Sequence, residues 1–185
     1  MKFHIIDTKI PDIKIIEPEP FFDYRGFFVK IFSEKFFEEN VTSLKFVEED
    51  RSGSHRNVLR GLHYQENNPQ GKLITITNGE IFDVAVDLRK SSPTFGKWVG
   101  EYLSKDNKKE IWIPPGFAHG FYVISEFAEI VYRTTEFYTP ENDRTLLWND
   151  PEIGIEWPLL MEDYPPIISK KDKNGKLFRD IKYFE

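Results

Sequence analysis

Hydrophobic and polar residues alternate in short segments along the middle of the chain. Between about Phe27 and Tyr138 these segments are rich in Val, Ile, Phe, Tyr and Thr, and turn residues separate them roughly every ten positions. Alternation with a period of two places one set of side chains on each face of a strand. The pattern therefore predicts an all-β sandwich or barrel.

The clearest local prediction is a β-hairpin. Its strands run from Lys72 to Thr77 and from Glu80 to Leu88, with Asn78-Gly79 between them. Asn-Gly supplies the positive φ angles of a two-residue hairpin turn. In the second strand apolar residues alternate with a set that includes Asp83 and Asp87, so we expect one core face and one polar face.

A short helix is predicted in one excursion between strands. Ser33 is a typical N-cap for a helix from Glu34 to Asn40. The tail after Pro158 is polar and lacks strong periodicity, so we assign it little regular structure beyond turns and a helical turn. No repeat or linker divides the 185 residues, which suit one core. We therefore expect a single domain over residues 1–185.

Composition narrows the classes of function. Hydrophobic residues make up 39% of the chain and charged residues 30%, which is the balance of a folded soluble protein. The formal net charge of -6 argues against binding to a nucleic acid backbone, which needs a basic surface. The absence of cysteine excludes disulfides, thiolate metal sites and Cys nucleophiles. No leader or membrane-spanning window is apparent, and we expect no membrane partner and a cytoplasmic location.

Two of the four histidines have a sequence context that favours chemistry. Gly61, His63 and Gln65 share one face of a predicted strand, and we expect the glycine to leave open space beside the imidazole. His119 follows the turn-forming stretch 113–118 and leads into the next predicted strand, Gly120 to Ile124. The other two are predicted to be surface or loop residues, since most histidines do no chemistry: His4 and His55.

A metal site is the first hypothesis for two histidines on a β-barrel. Barrels of the cupin type commonly bind iron, manganese or zinc through a His-x-His pair, a downstream Glu and a later His. Here the pair reads His63-x-Gln65, and no Glu follows where it would stay on that strand. Two potential ligands are too few, so we expect neither a metal nor a cofactor. His63 is then free to act as a general base.

A base alone does little, because it also needs an orienting carboxylate, an electrophile and an acid. Asp83 or Asp172 is a candidate to hold the imidazole tautomer. Lys72 is a candidate to stabilise a developing enolate. Tyr132 or Tyr138 is a candidate to return a proton from the opposite face. Each of these residues also has an ordinary structural interpretation, as a solvated surface charge or a half-buried tyrosine in a strand.

Ten short motifs stand in order along nearly the whole chain. They are Glu17-Pro18, Arg25 to Phe28, Arg60 to Gln65, Gln70 to Lys72, Asp83 to Asp87, Ser92 to Gly96, Pro115 to Gly120, Leu147 to Asp150, Ile153 to Pro158 and Ser169 to Asp172. Together they resemble the motifs of the dTDP-4-dehydrorhamnose 3,5-epimerases. So many separate motifs in one order make the resemblance highly specific.

The resemblance implies a fold, a partner and a reaction. The fold is a metal-free cupin, a double-stranded jelly-roll barrel with short peripheral helices. The partner is a second copy, in a homodimer with exchanged strands, so that each site borrows residues from the other subunit. The substrate is a dTDP-linked 4-keto-6-deoxyhexose. The family removes its C3 and C5 protons and returns them from the other face, which gives the L-sugar precursor of rhamnose.

Carried over by position, the resemblance also implies roles for residues. His63 matches the base and Asp172 the residue that orients it. Tyr132 matches the acid, and Lys72 matches the lysine near the C4 oxygen. These roles agree with elementary chemistry, because removing a proton next to a ketone needs a base and a cation at the oxygen. The matches at substrate-binding positions are Arg25, Arg60, His119, Tyr138, Asp143 and Lys171.

The chain departs from the family pattern at several binding positions. Lys30 stands where a glutamate is usual, and Asp143 replaces a Glu. Glu48 and Asp50 replace a Gln and an Asn. Added acids near a nucleotide diphosphate would repel it unless they are paired. We expect Lys30 to compensate for them, either within one chain or across the dimer. These departures leave open a different nucleotide or sugar.

Other functions stay open on the sequence alone. Relatives that epimerise C3 only, or that move the ketone between C3 and C4, share the barrel and much of the motif set. A non-catalytic cupin that binds sugar nucleotides would need the aromatic residues and arginines but not a base and an acid together. A metal-dependent cupin oxygenase would need ligands that this chain lacks.

Overall fold

Strands dominate the computed structural model, which describes residues 2–160 and 164–185. In this part of the chain the strands are β1 (Phe3–Asp7), β2 (Lys14–Pro18), β3 (Phe21–Asp23), β4 (Gly26–Phe28), β5 (Glu48–His55), β6 (Leu59–Gln65), β7 (Lys72–Asn78), β8 (Glu80–Asp87), β9 (Trp98–Ser104), β10 (Glu110–Ile113), β11 (Phe117–Val123), β12 (Phe127–Thr134) and β13 (Asp143–Thr145). The helices are α1 (Glu34–Asn40) and α2 (Lys170–Lys173), and short 3-10 helices cover Pro140–Asn142 and Phe178–Asp180.

Two antiparallel sheets form the body of the fold. One has the strand order β1-β2-β10-β7-β12-β5, and the other has the order β13-β6-β11-β8-β9. A core of Ile, Val, Phe and Ala side chains packs between them, with Ile74 and Ile130 from the first sheet and Phe121 from the second. Two sheets closed over one core form a jelly-roll barrel. The prediction of an all-β barrel with short peripheral helices is therefore confirmed.

The predicted hairpin at Asn78-Gly79 is wrong. β7 lies in the six-stranded sheet and β8 in the five-stranded sheet, so this turn carries the chain from one sheet to the other. The expected positive φ is present at Gly79, at 78°, and a Cβ there would lie 2.1 Å from the carbonyl oxygen of Phe127. A turn signature specifies backbone angles, but it does not specify which strand the next segment pairs with.

The prediction that β8 has one core face and one polar face is also wrong, because both faces are buried. Val84 and Val86 pack on the outer side of their sheet, against Phe178 of the C-terminal segment, residues 164–185. Asp83 and Asp87 lie on the opposite face and are 0% exposed. A central strand that is covered on both sides buries its polar residues as well as its apolar ones.

The helix and tail predictions agree with the structure. α1 begins and ends at the predicted residues, although the side chain of Ser33 makes no capping hydrogen bond. The tail has little regular structure beyond α2 and one 3-10 helix, and residues 161–163 of it lie outside the described residues. His119 lies inside β11, which begins at Phe117 and so earlier than predicted. In the part of the chain that the structure describes, no helix has the length and apolar character to cross a membrane.

Candidate active site

His63 and His119 lie side by side on neighbouring strands. They are direct partners in the antiparallel ladder of β6 with β11, so their side chains project from the same face of the sheet. The ladder is irregular beside them, where two residues of β6 stand opposite one residue of β11. Because this bulge breaks the alternation, Arg60 lines the same pocket as His63 although three positions separate them.

Gly61 does not leave the open space beside His63 that the sequence predicted. A Cβ at this position would lie 2.6 Å from the Cα of Gly120 and 2.7 Å from the carbonyl oxygen of His119. Its φ of 114° is also one that side-chain-bearing residues rarely adopt. The glycine is therefore required by close contact between two strands, and this contact keeps the two imidazoles adjacent.

Asp172 holds His63 from the C-terminal segment. Nε2 of His63 lies 2.5 Å from Oδ1 of Asp172, and Oδ2 accepts a hydrogen bond from the backbone N–H of Gly61 at 3.4 Å. Burial alone would raise the pKa of Asp172. The contact with His63 and the hydrogen bonds with Gly61 and Ser169 together outweigh burial and leave that pKa below its ordinary value. Since a carboxylate only accepts, the shared proton belongs to Nε2. Nδ1 is then the ring nitrogen that can take up a proton.

The second histidine has a carboxylate of its own. Nε2 of His119 lies 2.8 Å from Oδ2 of Asp83, and the two residues are 4% and 0% exposed. Residue chemistry left Asp83 and Asp172 as alternative partners of His63, and the family resemblance implied Asp172. The structure pairs Asp172 with His63. The pair of Asp83 with His119 was missed. The sequence held one indication of this pair. Residues of β8 alternate between the two faces of the sheet, so Asp83 lies on the same face as Ala85, which is the ladder partner of His119.

Lys72 enters the same space from the opposite sheet. It lies on the face of β7 that also carries Ile74 and Ile76 of the core. Burial lowers the pKa of Lys72 to about 8, although the charges of Asp143 and Asp83 act in the opposite sense. The ammonium is therefore protonated at neutral pH and loses its proton in mildly alkaline solution.

Tyr132 lies on β12, the neighbour of β7 in the six-stranded sheet, where it is the ladder partner of Ile74. Its hydroxyl oxygen is 2.9 Å from Oγ of Ser52, and its ring meets the ring of His119 nearly edge-on with 6.4 Å between centroids. Burial raises the pKa of Tyr132 to about 12, and the hydrogen bond with Ser52 opposes that change only in part. The phenol therefore stays protonated. Ser52 was not predicted, and no motif in the sequence singles it out.

These side chains line a single pocket of about 290 Å³. His63 reaches it from the five-stranded sheet, whereas Lys72 and Tyr132 reach it from the six-stranded sheet. The pocket thus has a histidine on one wall and a phenol on the other. The predicted site residues that line it are Asp50, Arg60, His63, Lys72, His119, Tyr132, Tyr138 and Asp143.

A chain of polar contacts joins the remaining predicted residues at this pocket. Oε2 of Glu48 accepts a hydrogen bond from the backbone N–H of Tyr138 at 2.8 Å. The hydroxyl of Tyr138 donates to Oδ2 of Asp143 at 2.8 Å, and Lys171 forms an ion pair with the same carboxylate. Two acids that depart from the family pattern, Glu48 and Asp143, therefore have partners within the chain.

Two predicted binding residues are not brought to this pocket within one chain. Arg25 lies in the turn between β3 and β4, where its guanidinium pairs with Asp23 at 2.6 Å and remains 74% exposed. Lys30 lies in a separate surface groove beside the N-terminal strand. The compensation of acidic groups that we predicted for Lys30 is therefore not made inside a single chain.

The donor set of the site is that of acid–base chemistry. Within residues 2–160 and 164–185, no group of three His, Asp or Glu side chains is arranged to hold a metal ion. Both imidazoles are instead engaged by carboxylates, with a phenol and an ammonium facing them. The fold and the site together define an isomerase of the acid–base type on a jelly-roll barrel. The family model described as dTDP-4-dehydrorhamnose 3,5-epimerase matches residues 7–180, and the chain belongs to this family.

Individual relatives agree with this assignment. The chain is 54% identical to the dTDP-4-dehydrorhamnose 3,5-epimerase of Pseudomonas aeruginosa, over 95% of its own length and 96% of the relative's. It is 53% identical to the dTDP-4-dehydrorhamnose 3,5-epimerase of Neisseria gonorrhoeae over 93% of its own length. That match spans about half of the relative's length, 52%. A solved structure of a dTDP-6-deoxy-D-glucose-3,5-epimerase from Legionella pneumophila, in complex with dTDP-4-keto-L-rhamnose, is 47% identical with a TM-score of 0.94. That match covers 98% of this chain and 95% of the other. The family predicted from the motifs is confirmed.

Proposed function

We propose that this chain epimerises C3 and C5 of dTDP-4-dehydro-6-deoxy-D-glucose to give dTDP-4-dehydro-L-rhamnose, in dTDP-L-rhamnose biosynthesis. The observation that carries the proposal is the placement of His63 and Tyr132 on opposite walls of one pocket. Inversion at a carbon requires that a proton leave one face and return to the other. Family membership and the sugar nucleotide bound by the Legionella relative support the choice of substrate.

In the first step His63 acts as the base. Nδ1 takes the proton from the carbon next to the C4 ketone, and the electron pair of the broken C–H bond moves into the carbonyl group to form an enolate. Asp172 holds Nε2 and stabilises the imidazolium that forms. The contact with Asp172 therefore fixes the orientation of the ring and leaves Nδ1 as the nitrogen that accepts the proton.

Lys72 stabilises the enolate. A proton next to a ketone is only weakly acidic, so the negative charge that develops on the C4 oxygen needs a cation or hydrogen-bond donor nearby. Lys72 is a point charge with three donors, and it lies on the same sheet as Tyr132. Lys72 can stabilise the enolate only while its ammonium group keeps its proton.

Tyr132 completes the inversion by giving its phenolic proton to the opposite face of the same carbon. The C–H bond reforms, the ketone is restored, and a tyrosinate and an imidazolium remain. A phenol with a pKa of about 12 regains a proton from water readily, and His63 returns its proton to solvent. The same two groups then act on the second carbon.

The rest of the sugar nucleotide is bound around this centre. Tyr138 is 50% exposed, and we assign it the stacking contact with the thymine ring. Lys171 lies at the same side of the pocket, beside Asp143, and is assigned to the diphosphate. Arg60 and His119 line the pocket and are assigned to the sugar and phosphate groups. Asp50, which lines the pocket, and Glu48, which contacts Tyr138, are assigned to hydrogen-bond donors of the sugar nucleotide.

A second copy of the chain completes the site in this proposal. The β3–β4 hairpin carries Phe21, Phe22, Phe27 and Phe28, which are 58–63% exposed. Exposed aromatic clusters of this kind are typical of surfaces that pack on a partner. We propose that the hairpin enters the site of the other subunit of a homodimer and delivers Arg25, with Lys30 nearby. A cytoplasmic location belongs to the same proposal.

The pairing of Lys30 with the added acids is testable by a double-mutant cycle. If Lys30 of one subunit compensates for Glu48 of the other, the variants Lys30→Glu and Glu48→Gln should weaken substrate binding in a non-additive way. KM measured for both single variants and the double variant gives the coupling. Full additivity would remove this pairing from the proposal.

The decisive experiment is NMR of the purified chain in D2O with dTDP-4-keto-6-deoxyglucose, coupled to a 4-ketoreductase that traps the product. The proposal expects deuterium at both C3 and C5. Deuterium at C3 alone would show an enzyme that epimerises one centre. Unlabelled substrate with normal binding would show a binding protein.

A variant pair tests the assignment of the base. His63→Asn should lower kcat by about a thousandfold, which is within the usual contribution of a positioned general base. His55→Asn is the matched control, because His55 packs against Phe127 away from the pocket. Full turnover of His63→Asn would refute the mechanism.

A further inference from the structure

Asp83 is a buried carboxyl group that no step of the proposed reaction uses. It is 0% exposed and lies on the face of β8 that is turned toward the barrel interior. Oδ2 contacts Nε2 of His119, whereas Oδ1 has no hydrogen-bond partner among the described residues. A buried carboxylate with a single hydrogen bond costs free energy. Its presence beside the pocket therefore requires an explanation.

Through its contact with His119, Asp83 fixes the orientation and the tautomer of an imidazole ring that lines the pocket. Because the carboxylate only accepts, Nε2 of His119 carries the proton, and Nδ1 is the nitrogen left for a substrate. His119 lines the pocket and touches Tyr132 edge-on. Without Asp83 the ring would lose both its orientation and its preferred tautomer.

The charge of Asp83 also acts on Lys72. Burial lowers the pKa of Lys72, and the charges of Asp143 and Asp83 oppose that effect. Asp143 is already paired with Lys171, whereas among the described residues Asp83 has only the imidazole of His119. The other titratable and charged groups that line this pocket are Asp50, Arg60, His63, Tyr64, Tyr132 and Tyr138.

We infer that Asp83 is a positioning residue of the epimerase site, which holds His119 through Nε2 and, together with Asp143, adds to the negative charge that acts on Lys72 while the enolate forms. The part that concerns Lys72 rests on the proposed function. The part that concerns His119 rests on the contact alone.

Asp83→Asn tests the charge, and Asp87→Asn is the matched control. Asp87 lies on the same face of the same strand and is also 0% exposed, but Arg89, Ser92 and Thr94 hold it. Asp83→Asn should move the alkaline limb of the pH profile of kcat/KM to lower pH by about one unit, because a nearby opposite charge is lost. Asp87→Asn should lower Tm and leave that limb in place. An unchanged limb in folded Asp83→Asn protein overturns the effect on Lys72.

NMR of 15N-labelled histidine tests the contact without any substrate. The unaltered protein should show His119 protonated at Nε2, and Asp83→Asn should show a mixture of tautomers, since an amide can accept or donate. A His119 protonated only at Nδ1 in the unaltered protein overturns the inference, even if the variant does not fold. If the chain had no epimerase activity, the pH profile would be absent and the proposed function would fail. The tautomer of His119 would still decide the contact.

Discussion

Gly61 determines how closely β6 and β11 approach each other beside the two histidines. A methyl group at this position meets the backbone of Gly120 at 2.6 Å, and the φ of 114° adds strain. Gly61→Ala should therefore lower the free energy of unfolding by roughly 3 kcal/mol. Urea denaturation monitored by tryptophan fluorescence measures the loss.

Gly154→Ala is the control for backbone strain alone. Gly154 also has a positive φ, of 63°, but the nearest atom to an added Cβ is 3.9 Å away. Its substitution should cost about 1 kcal/mol. Equal losses for the two variants would mean that the contact between the strands has no effect of its own.

Lys72 should produce the alkaline limb of the activity profile. Its pKa is lowered to about 8, so the protonated form that stabilises an enolate disappears as pH rises through that value. A guanidinium stays charged over this range. Lys72→Arg should therefore turn over more slowly but keep a flat kcat/KM above pH 8. If the alkaline limb persisted at the same pH in this variant, the titration of a group other than Lys72 would produce it.

The residues of the candidate site that could be predicted from the sequence are those whose chemistry is local. His63, Lys72 and Tyr132 are chemically distinctive residues inside recognisable motifs, and the structure brings them to one pocket. Residue chemistry by itself left the choice between Asp83 and Asp172 open, because the carboxylate that contacts His63 is 109 positions away along the chain. The family resemblance assigned Asp172 to this role, and no local pattern could.

The turn at Asn78-Gly79 could be located from the sequence, but the pairing of the strands on either side of it could not. Gly79 has the expected positive φ but Asn78 does not, and the strand ends agree with the prediction to within one residue. The two strands nevertheless lie in different sheets. Local sequence encodes where a strand ends. Long-range packing of both faces decides which sheet the next strand joins.

The C-terminal segment is an irregular element whose position is fixed by Asp150. Oδ1 of this buried residue accepts a hydrogen bond from the backbone N–H of Glu152 at 2.8 Å, and Oδ2 accepts one from that of Phe178 at 2.8 Å. Asp150→Asn places an amide group against one of these N–H donors and should cost about 2 kcal/mol. Because the same segment carries Asp172, kcat should fall as well. Thermal denaturation and steady-state kinetics measure the two effects.

Asp180→Asn is the control within the same segment. Asp180 is exposed, so its substitution should change stability by less than about 0.5 kcal/mol and leave kcat unchanged. If Asp150→Asn behaved like Asp180→Asn, the position of the segment would have to depend on its apolar contacts alone.

At the scale of the whole molecule, the proposed dimer makes each site a joint product of two chains. Arg25→Ala and His63→Asn should each be nearly inactive. Co-expressed at equal levels, they should recover about a quarter of the unaltered activity, because half of the dimers are mixed and each mixed dimer has one intact site. Activity of the purified mixture, with each variant alone as reference, gives the fraction.

The pair His63→Asn with Asp172→Asn is the control for this recovery. These two residues contact each other within one chain, so every site in a mixed dimer keeps one defect. No recovery is expected. Recovery by this pair, or none by the pair with Arg25→Ala, would contradict the shared site.

The amino-acid sequence alone specifies the strand-rich fold class, the short helix Glu34–Asn40 and the chemically capable residues, because alternation, capping and side-chain chemistry are local properties. Its ordered motifs also identify the family. The tertiary structure alone decides which sheet each strand joins, that both faces of β8 are buried, and that Asp83 holds His119. These features depend on contacts between residues far apart in the chain, and no local pattern encodes such contacts.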